Sequence, residues 1–185
     1  ATQLNLAEPW TINPGSASYY RISGVPEDQT VPGDDPLTRT ILPMDAGMGG
    51  NDLLYGNVST DALYGGAGDD YIDGSFNTDT LYGGLGSDEL VAGGGAGEFL
   101  DGGPGDDVLR GSDDGADTIT AGPGRDRVFG YGGNDSIDAG ADDDIIDGGM
   151  GDDLIFGQAG SDLLVGGGNH DILYGHNDTG TDDDA

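Results

Sequence analysis

From residue 47 onward an aliphatic residue recurs every nine positions, and an acid always stands two positions before it. Leu54, Leu63, Ile72, Leu81 and Leu90 follow one another at this spacing. After a ten-residue step come Leu100 and Leu109, and after a second come Ile119, Val128, Ile137, Ile146, Ile155, Leu164 and Leu173. The acids before them are Asp52, Asp61, Asp70, Asp79, Asp88, Glu98, Asp107, Asp117, Asp126, Asp135, Asp144, Asp153, Asp162 and Asp171. Fourteen units thus occupy residues 47 to 174, with Ala92 and Gly111 as the two extra residues. So short a period rules out a conventional core. Each unit offers one apolar side chain and must stack on its neighbours to bury it.

The unit has a local logic. Its first six residues, GGAGDD at 65 to 70 for example, read as a turn, because glycine tolerates the positive φ angles that tight turns need. The three residues centred on the aliphatic side chain read as a short strand. Two units complete an 18-residue coil. Successive coils stack at ~4.8 Å, so seven of them extend for roughly 34 Å. The predicted fold class is all-β, a parallel solenoid with a thin double row of Leu, Ile and Val inside.

Such a row cannot offset the ordering entropy of this chain by itself. Glycine and proline make up 47 of the 185 residues, and 36 acids face five arginines and no lysine, for a net charge of −31. Composition alone reads as disorder. The charge also makes nucleic acid and anionic membrane surfaces poor partners. Six acids fall in residues 1 to 46 and thirty in 47 to 185, which marks a boundary near Asp45. There is no cysteine, and therefore no disulfide framework or thiolate metal site.

Four segments match the pattern GGxGxDxUx, where U is a large aliphatic residue, at every fixed position: GGAGDDYID (65 to 73), GGLGSDELV (83 to 91), GGPGDDVLR (102 to 110) and GGMGDDLIF (148 to 156). In these motifs and in its period the chain resembles the RTX (repeats-in-toxin) family of haemolysin-type calcium-binding nonapeptide repeat proteins, over 128 of the 185 residues. The resemblance implies a right-handed parallel β-roll of about seven 18-residue coils that binds Ca²⁺. It also implies unfolded export through the type I secretion machinery, folding outside the cell, and a secreted or cell-surface location.

Physical chemistry leads to the same ion. Alternate units share a side, so Asp52, Asp70, Asp88, Asp107, Asp126, Asp144 and Asp162 form one column and the remaining acids a second. Neighbouring carboxylates ~4.8 Å apart at an effective dielectric of ~20 repel by roughly 3.5 kcal/mol. A hard divalent cation between turns reverses that sign, and calcium accepts six to eight oxygen ligands in loose geometry, whereas magnesium demands a tight octahedron. The expected ligands are the first-column acids with Asp117, Asp135, Asp153 and Asp171 of the second. Backbone carbonyls join them from the glycine turns at Gly65, Ala67 and Gly68, at Gly83, Leu85 and Gly86, at Gly102, Pro104 and Gly105, and at Gly148, Met150 and Gly151. The first column reads as about six sites, and GYGGND, GGMGDD and GGGNHD bring the total to about eight or nine ions. The turns GNVSTD, GSFNTD, GGGAGE and SDDGAD depart from the pattern, so the early second column is expected to be empty or irregular. Acids at the fifth turn position, such as Asp69, Asp106 and Asp152, read as solubilising charge.

Residues 1 to 46 read as a cap over the first coil, with strand-like runs YYRISGV (19 to 25) and LTRTIL (37 to 42) around the turn-rich PEDQTVPGDDP. A glycan platform on Trp10, Tyr19 and Tyr20 is the lesser reading of that segment. Residues 175 to 185 form an acidic tail. No signal peptide is expected in this chain, because no basic region precedes an apolar one. Toward the C-terminal end the outward strand positions turn apolar at Ile145, Leu154, Phe156, Leu163, Val165, Ile172 and Tyr174, a surface suited to self-association or partner docking. His170 and His176 lack a third nitrogen or sulfur ligand for a transition metal. Neither HExxH nor GxSxG occurs, so the chain reads as non-enzymatic. Two alternatives stay open, a repeat segment of a secreted adhesin or surface protein, and the C-terminal module of a secreted protease or lipase.

Overall fold

The computed structural model describes residues 30–31, 39–40, 50–56, 58 and 60–176. The strand-like run at 19 to 25, the aromatic residues Trp10, Tyr19 and Tyr20, and most of the acidic tail lie outside the described residues. The described chain is all-β. Two short strands, β1 (Thr30–Val31) and β2 (Arg39–Thr40), precede the repeats. Then come β3 (Leu53–Tyr55), β4 (Asp61–Ala67), β5 (Tyr71–Asp73), β6 (Thr80–Leu85), β7 (Glu89–Gly93), β8 (Phe99–Asp101) and β9 (Val108–Ser112). The remainder are β10 (Thr118–Pro123), β11 (Arg127–Phe129), β12 (Ser136–Ala141), β13 (Ile145–Met150), β14 (Leu154–Phe156), β15 (Leu163–Gly168) and β16 (Ile172–Tyr174).

Odd-numbered strands form one eight-stranded parallel sheet and even-numbered strands the other. Every second strand pairs because one coil of two units lies between them, which makes a solenoid of about seven coils. The register follows the aliphatic ladder: Leu54 stands opposite Ile72, Ile72 opposite Leu90, and Leu90 opposite Leu109. On the other sheet Leu63, Leu81, Leu100 and Ile119 align in the same way. These side chains are buried through Ile155, Leu164 is half-buried, and Leu173 is 41% exposed on the last described coil. The core is thus one side chain deep in each sheet, with Ala92, Ala121 and Ala139 filling the corners.

Strand pairing reaches into the turns. Gly66 and Ala67 of β4 are in register with Gly84 and Leu85 of β6, and Gly86 donates its N–H to Pro104 O of the next coil at 3.0 Å. Coil stacking therefore orders the turns as well as the strands. Gly105, with φ 149°, shows why glycine is needed: a Cβ there would overlap Gly86 O of the preceding coil.

Two details depart from the sequence reading. β1 falls within the segment read as turn-rich, where the β-branched pair Thr30–Val31 lies parallel on the open edge of β3. β2 lies inside the run 37 to 42 and pairs with β4. The extra residues are also not Ala92 and Gly111. Gly74 faces Ala92 O as Gly65 faces Gly83 O, and Gly111 sits beside Asp117 Oδ2 as Gly74 sits beside Asp79 Oδ2. Ala92 and Gly111 thus occupy the first turn position, and each surplus residue is absorbed within a seven-residue turn, Ala92–Glu98 or Gly111–Asp117. A surplus residue in a strand would reverse the faces of every side chain after it, whereas a turn accommodates one by bulging.

Because neighbouring coils share this core, Ile119→Ala in the calcium-loaded protein is expected to cost about 2–5 kcal/mol. Leu173→Ala, at the exposed end, should change stability by less than about 0.5 kcal/mol. Chemical denaturation of the two variants checks the contrast.

Candidate metal centre

Each column acid ends a turn and begins a strand, so its backbone is held by both neighbouring coils. The side chain points between coils. The N–H of Asp52 donates to Asp70 Oδ1 at 2.7 Å, that of Asp70 to Asp88 Oδ1 at 2.8 Å, and that of Asp88 to Asp107 Oδ1 at 2.7 Å. The chain continues from Asp107 to Asp126, from Asp126 to Asp144, and from Asp144 to Asp162. On the second side Asp117 donates to Asp135, Asp135 to Asp153, and Asp153 to Asp171. The structure therefore brings together the two columns that alternation in the sequence assigns.

For most of these carboxylates one oxygen is satisfied in this way and the other is not. Oδ2 of Asp70, Asp88, Asp107, Asp126, Asp144 and Asp162 in the first column is buried and has no hydrogen-bond donor. The same holds for Oδ2 of Asp79, Asp135 and Asp153 and for Oε1 of Glu98 in the second. A buried anionic oxygen without a donor is costly, and a row of them opposes folding. Burial pushes the carboxyls of Asp70, Asp79, Asp107, Asp135 and Asp144 up to about 7, against the lowering effect of the N–H each accepts. Asp88 and Asp126 rise to about 6 for the same reason.

The surroundings of these oxygens suit a hard cation. Position-one carbonyls stand beside them: Gly83 O and Asp70 Oδ2 both border the empty side of Gly65, as Gly102 O and Asp88 Oδ2 border that of Gly83. Among the described residues no three acidic or histidine side chains converge. An ion here would thus be held by carboxylates from the columns and carbonyls from the turns, a mixed all-oxygen set that fits calcium and offers nothing soft. The carbonyls of Ala67, Pro104 and Met150 already accept an N–H from the preceding coil, from Gly50, Gly86 and Gly133, and keep one lone pair for an ion. Leu85 O likewise accepts from Gly68. The position-four carbonyls Gly68 O and Gly86 O face Gly86 and Gly105 of the next coil. Gly148 O stands beside Gly130 as Gly83 O stands beside Gly65, and Gly151 closes that turn with a φ of 141°. His170 is almost fully exposed, 3.8 Å from an Asp152 oxygen.

Residues 46–72, 55–90, 64–98, 92–114, 112–146 and 147–182 match the profile of the RTX calcium-binding nonapeptide repeat. The chain belongs to this RTX family. No curated protein and no solved structure matches it.

Within this RTX roll the structure adds features that motif reading did not supply. Ser75 (φ 75°) and Asn77 (φ 70°) adopt the positive φ that glycine takes in regular turns, so GSFNTD keeps the turn geometry despite lacking both glycines. The Asp79 carboxylate is consequently placed like that of Asp70, accepting from Asp61 at 2.8 Å through Oδ1 and leaving Oδ2 bare. Asparagine's tolerance of left-handed backbone was the available signal. Fifth-position side chains also form a ladder of their own. Asn51 Oδ1 accepts the N–H of Asp69, Asp69 Oδ1 that of Ser87, Asp106 Oδ1 that of Arg125, and Asn134 Oδ1 that of Asp152. These side chains link coils besides supplying charge.

The raised carboxyl pKa values fix a direction with pH. The metal-free fold holds protons between the ordinary value of 3.8 and about 7 that the unfolded chain releases. Its stability is therefore greatest below that window and falls as pH rises through it. Circular dichroism of calcium-depleted protein should show more strand at pH ~5 than at pH ~8. Calcium should act oppositely, with a midpoint that weakens as the pH is lowered because protons compete for the same oxygens. A metal-free protein that gains strand on going from pH ~5 to ~8 would contradict this account.

Proposed function

We propose that this RTX roll is a calcium-dependent folding module, unfolded at the low free calcium of a cytosol and folded where calcium is millimolar. The observation that supports the reading best is the double file of buried carboxylate oxygens without donors. Each needs a cation or a proton, and near neutral pH a cation is the available partner. Ion binding at ten times Kd contributes ~1.4 kcal/mol per site, so eight independent sites supply ~11 kcal/mol, comparable to the whole stability of an ordinary domain.

We place about six ions along the first column and two or three along the second, where Asp79 joins Asp135 and Asp153. The role that follows is that of a non-enzymatic module supporting export and extracellular stability. A chain that cannot fold before it meets calcium stays threadable through a type I secretion channel and becomes rigid outside. Membership of the RTX family is what points to that route.

In far-UV circular dichroism, chelator-treated protein at neutral pH is expected to show little strand, and millimolar Ca²⁺ to restore it cooperatively, with Mg²⁺ much weaker. Strand content that is complete before calcium is added would sink the proposal. Because the Asp79 and Asp88 carboxylates each accept one N–H from the preceding coil and keep Oδ2 bare, Asp79→Ala and Asp88→Ala should raise the calcium midpoint by factors that agree within about threefold. A shift confined to Asp88→Ala in the same titration would return the early second column to the empty class.

A further inference from the structure

The two seven-residue turns, Ala92–Glu98 and Gly111–Asp117, lie in consecutive coils of the second column, and the second of them is wired differently. In two regular turns of the first column the N–H of the second position leaves for the next coil. Gly84 donates to Gly102 O at 2.9 Å and Gly103 to Ala121 O at 3.0 Å. Ser112 is the corresponding residue, and its N–H turns back to Asp117 Oδ2 at 2.7 Å. Its hydroxyl lies 3.2 Å from the same oxygen, from Glu98 Oε2 and from Gly95 O. Asp117 Oδ1 accepts the Glu98 N–H at 3.1 Å. Asp117 therefore has a donor on both oxygens, unlike Asp107, Asp126, Asp135 and Asp153, whose Oδ2 has none. Ser112 is only 1% exposed, so no solvent competes for these bonds. The surplus residue provides the slack that lets the backbone fold back on its own carboxylate.

We propose that Asp117 and Ser112 form a metal-free splice, in which a backbone N–H and a hydroxyl do for this carboxylate what calcium does for the others. The inference rests on the calcium reading above and narrows it. The second column is broken at Asp117 into an N-terminal group of ions around Asp79 and a C-terminal group around Asp135, Asp153 and Asp171. At Asp117 itself the roll is held by bonds that need no ion, while the Glu98 carboxylate beside it keeps Oε1 bare. Asp117, a calcium ligand by motif alone, is then a structural acceptor, and Ser112 is the residue that positions it.

Native mass spectrometry of the full-length, calcium-loaded chain counts the ions. Asp117→Asn and Ser112→Ala should carry as many calcium ions as the wild type, whereas Asp107→Asn and Asp135→Asn should each lose at least one. Loss of an ion from Asp117→Asn, with a wild type that binds calcium, overturns the splice and leaves the calcium reading standing. A wild type that carries no calcium overturns both. Should Asp117→Asn fail to fold, the anomalous difference map of a calcium-loaded wild-type crystal decides. Peaks beside Asp107 and Asp135 with none in coordination range of Asp117 Oδ2 support the splice, and a peak there overturns it.

Discussion

The bare second oxygen found on most of the column carboxylates is the constraint on which the rest of the structure depends. The acid must stand between coils for its first oxygen to receive the neighbouring N–H, and that placement buries the second oxygen beside backbone carbonyls. The alternatives are protonation, an ion, or a donor borrowed from elsewhere in the chain. The family's calcium chemistry, the raised carboxyl pKa values and the diverted Ser112 N–H are three answers to one electrostatic demand.

Regularity follows from stacking. The core is one side chain deep, so no coil is stable without its neighbours, and a solenoid of this kind gains stability from each coil-to-coil interface. Two ladders of side-chain hydrogen bonds run along it in opposite senses. A sixth-position acid accepts from the coil before it, as Asp88 does from Asp70, while a fifth-position acid or amide accepts from the coil after it, as Asp69 does from Ser87. Together they hold the turns at the spacing set by the sheets. The ion pairs add little. Arg125 with Asp106 is exposed, so solvent screens the pair.

Departures from the repeat are confined to turns because strands cannot accept them. Ala92 and Gly111 hold the first turn position, the aliphatic ladder continues through Leu100 and Ile119 without a change of face, and the surplus residues sit where the backbone can bulge. Non-glycine residues at positive φ obey the same rule. Asn77, Asp142 and Asn169 are residue types that tolerate this conformation, whereas Tyr131 and Gln158 adopt it at the second turn position, where regular turns have glycine.

The fold was legible in the sequence because its determinants are intervals. Nine residues between Leu81 and Leu90, two between Asp88 and Leu90, and alternation of sides together prescribe two parallel sheets, a double aliphatic row and two acid columns, and all of these are present. What intervals cannot state is which donor meets which acceptor across coils 18 or 19 residues apart. That is why motif reading ranked the Asp79 turn as irregular for want of glycine, kept Asp117 among the ligands although its turn SDDGAD departs from the pattern, and took Asp69 for mere charge. Whether a carboxylate keeps a bare oxygen depends on where a single N–H points. At Ser112 the stacking of two enlarged turns decides that direction, whereas at Asp107 the regular stack leaves the oxygen bare.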